Sequence, residues 1–175
     1  KTGKRGIEVT YVIEEGRATV ISDIAFRGNT VVSSRSLKRK VSLKEVGLVS
    51  KGAFQESSLE SDKQAIVAYY QDNGYVDASV VDVTREVSVN EKKNRDELTV
   101  TFVIQEGSRY TYAGTVFEGN HIFTDEKLQS LMKLKVGSVF NQSRFQESLM
   151  AVADLYYENG YTSNRFQPVP QKDVE

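Results

Sequence analysis

The chain repeats itself, and this limits it to folds assembled from two copies of one small unit. Val9-Thr10-Tyr11-Val12-Ile13-Glu14-Glu15-Gly16 returns as Val100-Thr101-Phe102-Val103-Ile104-Gln105-Glu106-Gly107, an offset of 91 positions. At the same offset Phe26-Arg27-Gly28-Asn29 answers to Phe117-Glu118-Gly119-Asn120, and Leu37 answers to Leu128. Further on the offset becomes 86: Phe54 matches Phe140, Ser57 matches Ser143, Tyr70 matches Tyr156, and Asn73-Gly74-Tyr75 matches Asn159-Gly160-Tyr161. The five-residue change falls around Lys44 to Lys51, where a surface loop absorbs extra length. A period of this size is a domain rather than a solenoid turn.

Each copy predicts the same order of elements. A strand runs from Ala18 to Phe26, with Val20, Ser22, Ile24 and Phe26 alternating against their neighbours, and Gly28-Asn29 ends it. A short helix follows, capped by Ser33, with Leu37 and Val41 inward; Thr124, Leu128 and Met132 take those places in copy two. The longer helix is expected to start at a capping box, Ser57-x-x-Glu60 and again Ser143-x-x-Gln146. Phe145, Leu149, Val152, Leu155 and Tyr156 then share one helical face, as do Leu59, Ile66, Tyr69 and Tyr70. Gly74 and Gly160 end these helices. Next, Val76, Ala78 and Val80 alternate before the phase slips to Val81, Val83, Val87 and Val89, which predicts a β-bulge near Val80-Val81. Asn90 to Glu97 is polar and turn-like, and Leu98, Val100, Phe102 and Ile104 form the returning strand of a hairpin. The order is β-α-α-β-β, and the class is α+β.

Composition removes most chemistry. Lys and Arg total 23 against 24 Asp and Glu, so there is no basic excess of the kind that binds nucleic acid. There are no cysteines and a single histidine, His121, which excludes disulfides, thiolate metal sites and His-based dyads. His121 stands in a turn where copy one has Thr30, a poor place for a ligand. Tyr69, Tyr70 and Tyr156 suit a stacking platform less well than a core, since they recur at helical spacing. The Glu15-Gly16 and Glu106-Gly107 pairs read as strand ends at domain junctions rather than as catalytic carboxylates. The longest apolar run, Ala65 to Tyr70, is far shorter than the roughly 20 residues of a membrane span.

The motif order resembles the polypeptide-transport-associated (POTRA) domain. The residues that carry it are Glu15-Gly16, Phe26-Arg27-Gly28-Asn29, Leu37, Tyr69 to Tyr75 (YYQDNGY) and Ala78-Ser79-Val80. Copy two departs late, with Thr162-Ser163-Asn164-Arg165-Phe166 in place of the Ala-x-Val segment. The resemblance implies two helices packed on one face of a three-stranded mixed sheet, with the last strand at its centre. The tandem layout is most similar to the periplasmic region of BamA-type outer-membrane protein assembly factors. TamA-type proteins and two-partner secretion transporters are alternatives, and a purely structural spacer is a second one. It further implies no enzyme, no cofactor, a parent β-barrel in the outer membrane, and partners that are nascent barrel proteins and accessory lipoproteins.

On this reading residues 1–16 end a preceding POTRA domain, 17–107 form a complete one, and 108–175 form one lacking its last strand. A few residues, Gly107 to Tyr112, join the two copies. The candidate partner-binding edge is Tyr75, Val76, Asp77, Ala78, Ser79, Val80, Val81, Asp82 and Val83, because unpaired strand N–H and C=O groups accept another strand whatever its side chains. Ile7, Val9, Tyr11 and Ile13 form an orphan strand, expected to fill copy two of a second molecule and give a strand-exchanged homo-oligomer.

Overall fold

The structure is a computed structural model that describes residues 9–13 and 16–172. Copy one is the α+β unit expected: β1 (Ala18–Arg27), α1 (Ser34–Lys38), α2 (Glu56–Gln71), β2 (Ser79–Asn90) and β3 (Arg95–Gln105). The strand order is β1-β3-β2, with β1 parallel and β2 antiparallel to β3. β3 is therefore central, and its Leu98, Val100, Phe102 and Ile104 are at most 5% exposed. They pack with Ile21, Ile24 and Phe26 of β1, Leu37 of α1, and Leu59, Ile66 and Tyr70 of α2. Phe26 stacks on Phe102 with ring centroids 5.6 Å apart.

Local signals fare well where their partners are local. Ser33 caps α1 by accepting from the Ser36 N–H, and Thr124 does the same for α3 (Asp125–Gln129) from Lys127. The bulge stands where the valine phase slips: the register steps from Val80↔Ile104 to Asp82↔Val103, leaving Val81 unpaired. The hairpin turns through Glu91–Lys93 and a left-handed Asn94.

The capping boxes do not form. α2 starts at Glu56 after Gln55, and α4 (Gln142–Glu158) starts after Asn141, whose side chain accepts from the Arg144 N–H. Ser57 and Ser143 thus sit one residue inside the first helical position, and Ser143 is used elsewhere.

Copy two also lacks the expected first strand. Among the described residues its only β pairing is a single bridge, Thr111↔Val139, and residues 113–118 have no ladder. A parallel strand such as β1 exists only by pairing with a central strand, and no described residue supplies one here. Its core shrinks to Leu128, Val152 and Tyr156, with Phe117, Phe123, Leu131 and Leu155 half-buried around them. Residues 162–172 are exposed and without regular structure. Val9, Tyr11 and Ile13 are likewise exposed and form no ladder among the described residues, and Ile7 lies outside them.

Candidate strand-binding edge

A three-stranded sheet with a central last strand has two edges, and the chain treats them differently. The outer edge of β1 is covered. Ile21 N–H donates to Gly52 O at 2.7 Å, Val46 N–H donates to Ile21 O at 2.7 Å, and Val20 bridges Ala53. Ile24 N–H donates to the Glu45 carboxylate at 3.0 Å. The cover is the same loop whose length differs between the copies. Copy two keeps the device with its shorter loop, through Tyr112 N–H to Ser138 O and Gly137 N–H to Tyr112 O, both 2.8 Å. The sequence offset revealed the loop but not its purpose.

The outer edge of β2 is bare: no described residue forms a ladder with it. Beside it an open groove of about 420 Å³ separates α2 from the start of the strand, lined by Glu60, Lys63, Gln64, Val67, Ala78 and Val80 among others. Strand addition requires an unpaired edge with flanking space for alternate side chains, and this is the edge that offers both. Of the residues expected there, Ser79, Val80, Val81, Asp82 and Val83 lie on β2, the first two before the bulge and Asp82 and Val83 after it. Tyr75, Val76, Asp77 and Ala78 do not; they form the turn into it, with Tyr75 N–H on Tyr70 O and Ala78 N–H on Tyr75 O. Alternating apolar residues at Val76 and Ala78 mimic a strand, but the chain is still closing the C-terminal end of α2. The strand instead extends further, to Asn90, with Val87 and Val89 exposed.

Glu106 fixes the end of the central strand. Its carboxylate accepts from the Thr30 N–H at 2.9 Å, the Thr30 hydroxyl at 2.5 Å, the Val31 N–H at 3.1 Å and the Tyr70 hydroxyl at 2.7 Å. One side chain thereby ties β3 to the loop after β1 and to α2. Burial pushes the Glu106 carboxyl up, but the hydrogen bonds from Thr30, Tyr70 and Val31 outweigh it and hold the group below the usual carboxylate range. Burial, and then the bond to Glu106, push the Tyr70 phenol well above its ordinary value. Asp62, the other deeply buried carboxylate, accepts from the Ser42 and Leu43 N–H groups at 2.6 and 3.0 Å. Both buried acids are thus occupied in holding backbone. The tyrosines behave as core: Tyr70 is fully buried and Tyr156 nearly so.

The two copies meet at the end of α2. Ser143, the failed cap, donates its N–H and hydroxyl to the two oxygens of Asp72 at 2.8 and 2.9 Å, and Asn141 donates to Asp72 O at 2.8 Å. Tyr110 N–H donates to Gly74 O at 2.9 Å, and the Tyr110 hydroxyl reaches Asp77. Gly74 is needed here: its φ is +93°, and a Cβ would stand 2.9 Å from both Tyr110 O and a Val139 methyl.

This arrangement, two helices on a mixed sheet with a central last strand and one bare edge, is that of a POTRA domain. The POTRA family profile, described as surface antigen variable number repeat, matches residues 19–107 and again 110–175, and the chain belongs to that family. Over 174 residues it is 39% identical to a Treponema pallidum (strain Nichols) protein provisionally named an outer membrane protein assembly factor, covering 99% of this chain and 21% of that protein. It is 28% identical to the outer membrane protein assembly factor BamA of Neisseria meningitidis serogroup B, over 100% of this chain and 22% of that one. The crystal structure of Haemophilus influenzae BamA POTRA3-5 superposes with a TM-score of 0.63 at 25% identity, covering 88% of this chain and 60% of the other. The chain spans about a fifth of the length of these sequence relatives.

Proposed function

We propose that this chain is the periplasmic, strand-binding part of a BamA-type outer-membrane protein assembly factor. In this role the bare edge of β2, with the groove against α2, receives extended segments of nascent outer-membrane β-barrel proteins by main-chain pairing. Recognition through N–H and C=O groups tolerates many client sequences, as a general assembly factor requires. The observation that carries the reading is the asymmetry of the sheet: one edge is closed by residues 45–53 and the other is left open. The exposed hairpin tip, Glu91 to Asn94, at the centre of the polar run Asn90 to Glu97, is where an accessory lipoprotein would dock without blocking that edge. The parent protein supplies the membrane barrel, and the domains act without a cofactor or catalysis. A spacer role is compatible with the Asp72–Ser143 junction, which holds the copies in a defined relation.

Titration of the labelled chain with a ten-residue peptide of alternating apolar and polar residues, as in a barrel strand, tests this reading by NMR. Amide shifts should concentrate on Val81 to Asn90 and the facing side of α2. Proline placed successively at Thr84, Arg85 and Glu86 should unfold the sheet where the N–H pairs with β3 and abolish binding, in a folded chain, where it faces out. Folded proline variants that bind like the parent would refute edge recognition.

A further inference from the structure

The loop that closes the first edge of the sheet is longer than that task requires. Copy two covers its own first edge through Tyr112, Gly137 and Ser138 with five fewer residues. In copy one the extra residues form a projection with a pinned base. Val46 and Gly52 are bonded to the two main-chain groups of Ile21, and the Gly47 N–H donates to Ser50 O at 2.9 Å, closing a turn around Leu48 and Val49. The base is tight, since a Cβ on Gly52 would lie 2.7 Å from Val46 N. The tip is bare: Leu48 and Val49 are 108% and 102% exposed, the highest values among the large apolar residues described. Single exposed apolar residues are ordinary, but here an adjacent pair is held wholly in water at the apex of a fixed turn.

The surroundings of the tip are basic. Residues 35–51 hold Arg35, Lys38, Arg39, Lys40, Lys44 and Lys51 against one acid, Glu45, a net charge of +5 in a chain that totals −1. Copy two has Glu126, Ser130 and Leu131 in place of Arg35, Arg39 and Lys40. Glu45 is drawn back from the tip, against Lys38 at 2.5 Å and the Ile24 N–H at 3.0 Å. Lys44 and Lys51 line one open cleft of about 320 Å³ at the root of the loop, beside Ser42 and Ser50. The Lys44 ammonium donates to Val41 O at 2.7 Å and, like that of Lys51, forms no salt bridge among the described residues.

We propose that this loop is a membrane-surface contact: Leu48 and Val49 enter the boundary between headgroups and acyl chains of an anionic phospholipid bilayer, while Lys44 and Lys51 meet its phosphates. Attachment of this kind strengthens with buried apolar area and with attraction to anionic lipid, and the loop supplies both. Lipid suits the tip better than protein does. A stable protein interface takes about 800 Å² of matched surface from each partner, which two aliphatic side chains on a convex turn do not offer. A bilayer closes around a protruding apolar tip, and the long stems of flanking lysines let their ammonium groups stay at the headgroups. The loop lies on the β1 side of the sheet, away from the β2 edge, so lipid contact and strand pairing are separable.

The chain has no tryptophan, so Leu48→Trp gives the whole chain a single reporter at the tip. Its emission should shift to the blue on adding vesicles of equal phosphatidylglycerol and phosphatidylcholine at low salt, and lipid brominated on its acyl chains should quench it. Sedimentation of the unsubstituted chain with these vesicles gives the affinity, which should fall sharply on vesicles of phosphatidylcholine alone. Leu48→Ser with Val49→Ser should weaken binding by about tenfold or more. Lys44→Gln and Lys51→Gln should each weaken it by about fivefold, and by less at high salt. All four side chains are exposed, so the far-UV spectrum should not change. Val87→Ser with Val89→Ser, on the exposed face of β2, should bind vesicles like the parent. No binding to anionic vesicles at low salt would overturn the proposal. So would tryptophan emission that vesicles leave unmoved, affinity indifferent to the loop variants, or affinity lost on the β2 pair instead.

Discussion

Removing the Glu106 carboxylate tests whether one side chain holds the centre of the sheet. In Glu106→Ala the Tyr70 hydroxyl, fully buried, loses its acceptor, at a cost of about 2 kcal/mol. The Thr30 and Val31 N–H groups sit in an exposed loop where water partly replaces the carboxylate, so each adds about 0.5 kcal/mol. The expected loss is about 3 kcal/mol, a large part of what a domain of this size has in reserve. Glu106→Gln retains one acceptor oxygen for Tyr70 and Val31 but turns an NH₂ toward the Thr30 N–H, and should cost about half as much. Tyr70→Phe removes the donor instead and should cost about 1 kcal/mol. Combined with Glu106→Ala it should cost less than the sum, because the hydroxyl that alanine strands is no longer there. Urea unfolding by far-UV circular dichroism gives the totals, and amide exchange at Val100 and Phe102 assigns them to copy one. A Glu106→Ala cost below about 0.5 kcal/mol, or strict additivity with Tyr70→Phe, would refute the reasoning.

The same pair contributes to both arms of the pH profile. The folded-state pKa of Glu106 is depressed, so its contribution is complete above the unfolded value of about 4.3 and is lost as pH falls through the folded value; Glu106→Gln should flatten this acid arm. The folded-state pKa of Tyr70 is raised, so its contribution is complete below about 10 and is lost as pH rises through the folded value, with one tyrosine ionising late in a spectrophotometric titration. Gly28→Ala forces a methyl onto the Ile104 carbonyl and should cost about 3 kcal/mol, while Gly119→Ala carries only left-handed backbone strain, about 1 kcal/mol, both read by chemical unfolding. Asp72→Ala should leave each copy's stability within about 0.5 kcal/mol but loosen their relative orientation, seen as reduced residual dipolar couplings in copy two.

What the sequence disclosed divides along the reach of the interactions. Ser33 and Thr124 were legible as caps because each satisfies an N–H three residues on. The bulge at Val81 was legible because a change of phase is written in adjacent residues. The capping box at Ser143 misleads because its hydroxyl and N–H are consumed by Asp72, 71 positions earlier, and Asn141 is left to cap the helix. The Glu106-Gly107 pair is visible as a repeat, yet its role depends on Thr30 and Tyr70, 76 and 36 positions away. The candidate edge was placed within a few residues of β2 but started too early, because Val76 and Ala78 alternate inside a turn. That one edge is closed and the other open follows from the 45–53 loop folding back on β1, which no local pattern announces.

The two copies amount to a comparison within one molecule, alike in sequence and unlike in having a central strand. The short helix, its cap, the long helix and the loop that blunts the first edge all persist in copy two, where no such strand occurs among the described residues. The β1 counterpart does not, even though Phe117 and Gly119-Asn120 repeat the strand end of copy one. Among the described residues, the helical half of the unit is held by contacts within the first part of its sequence, and the β1 counterpart forms no ladder where no described residue pairs with it. In copy one β1 and β2 both pair only with β3, so every ladder of the sheet runs through its last strand. The edge of β2 turned away from β3 lies beside α2 and presents main-chain groups that β3 does not use.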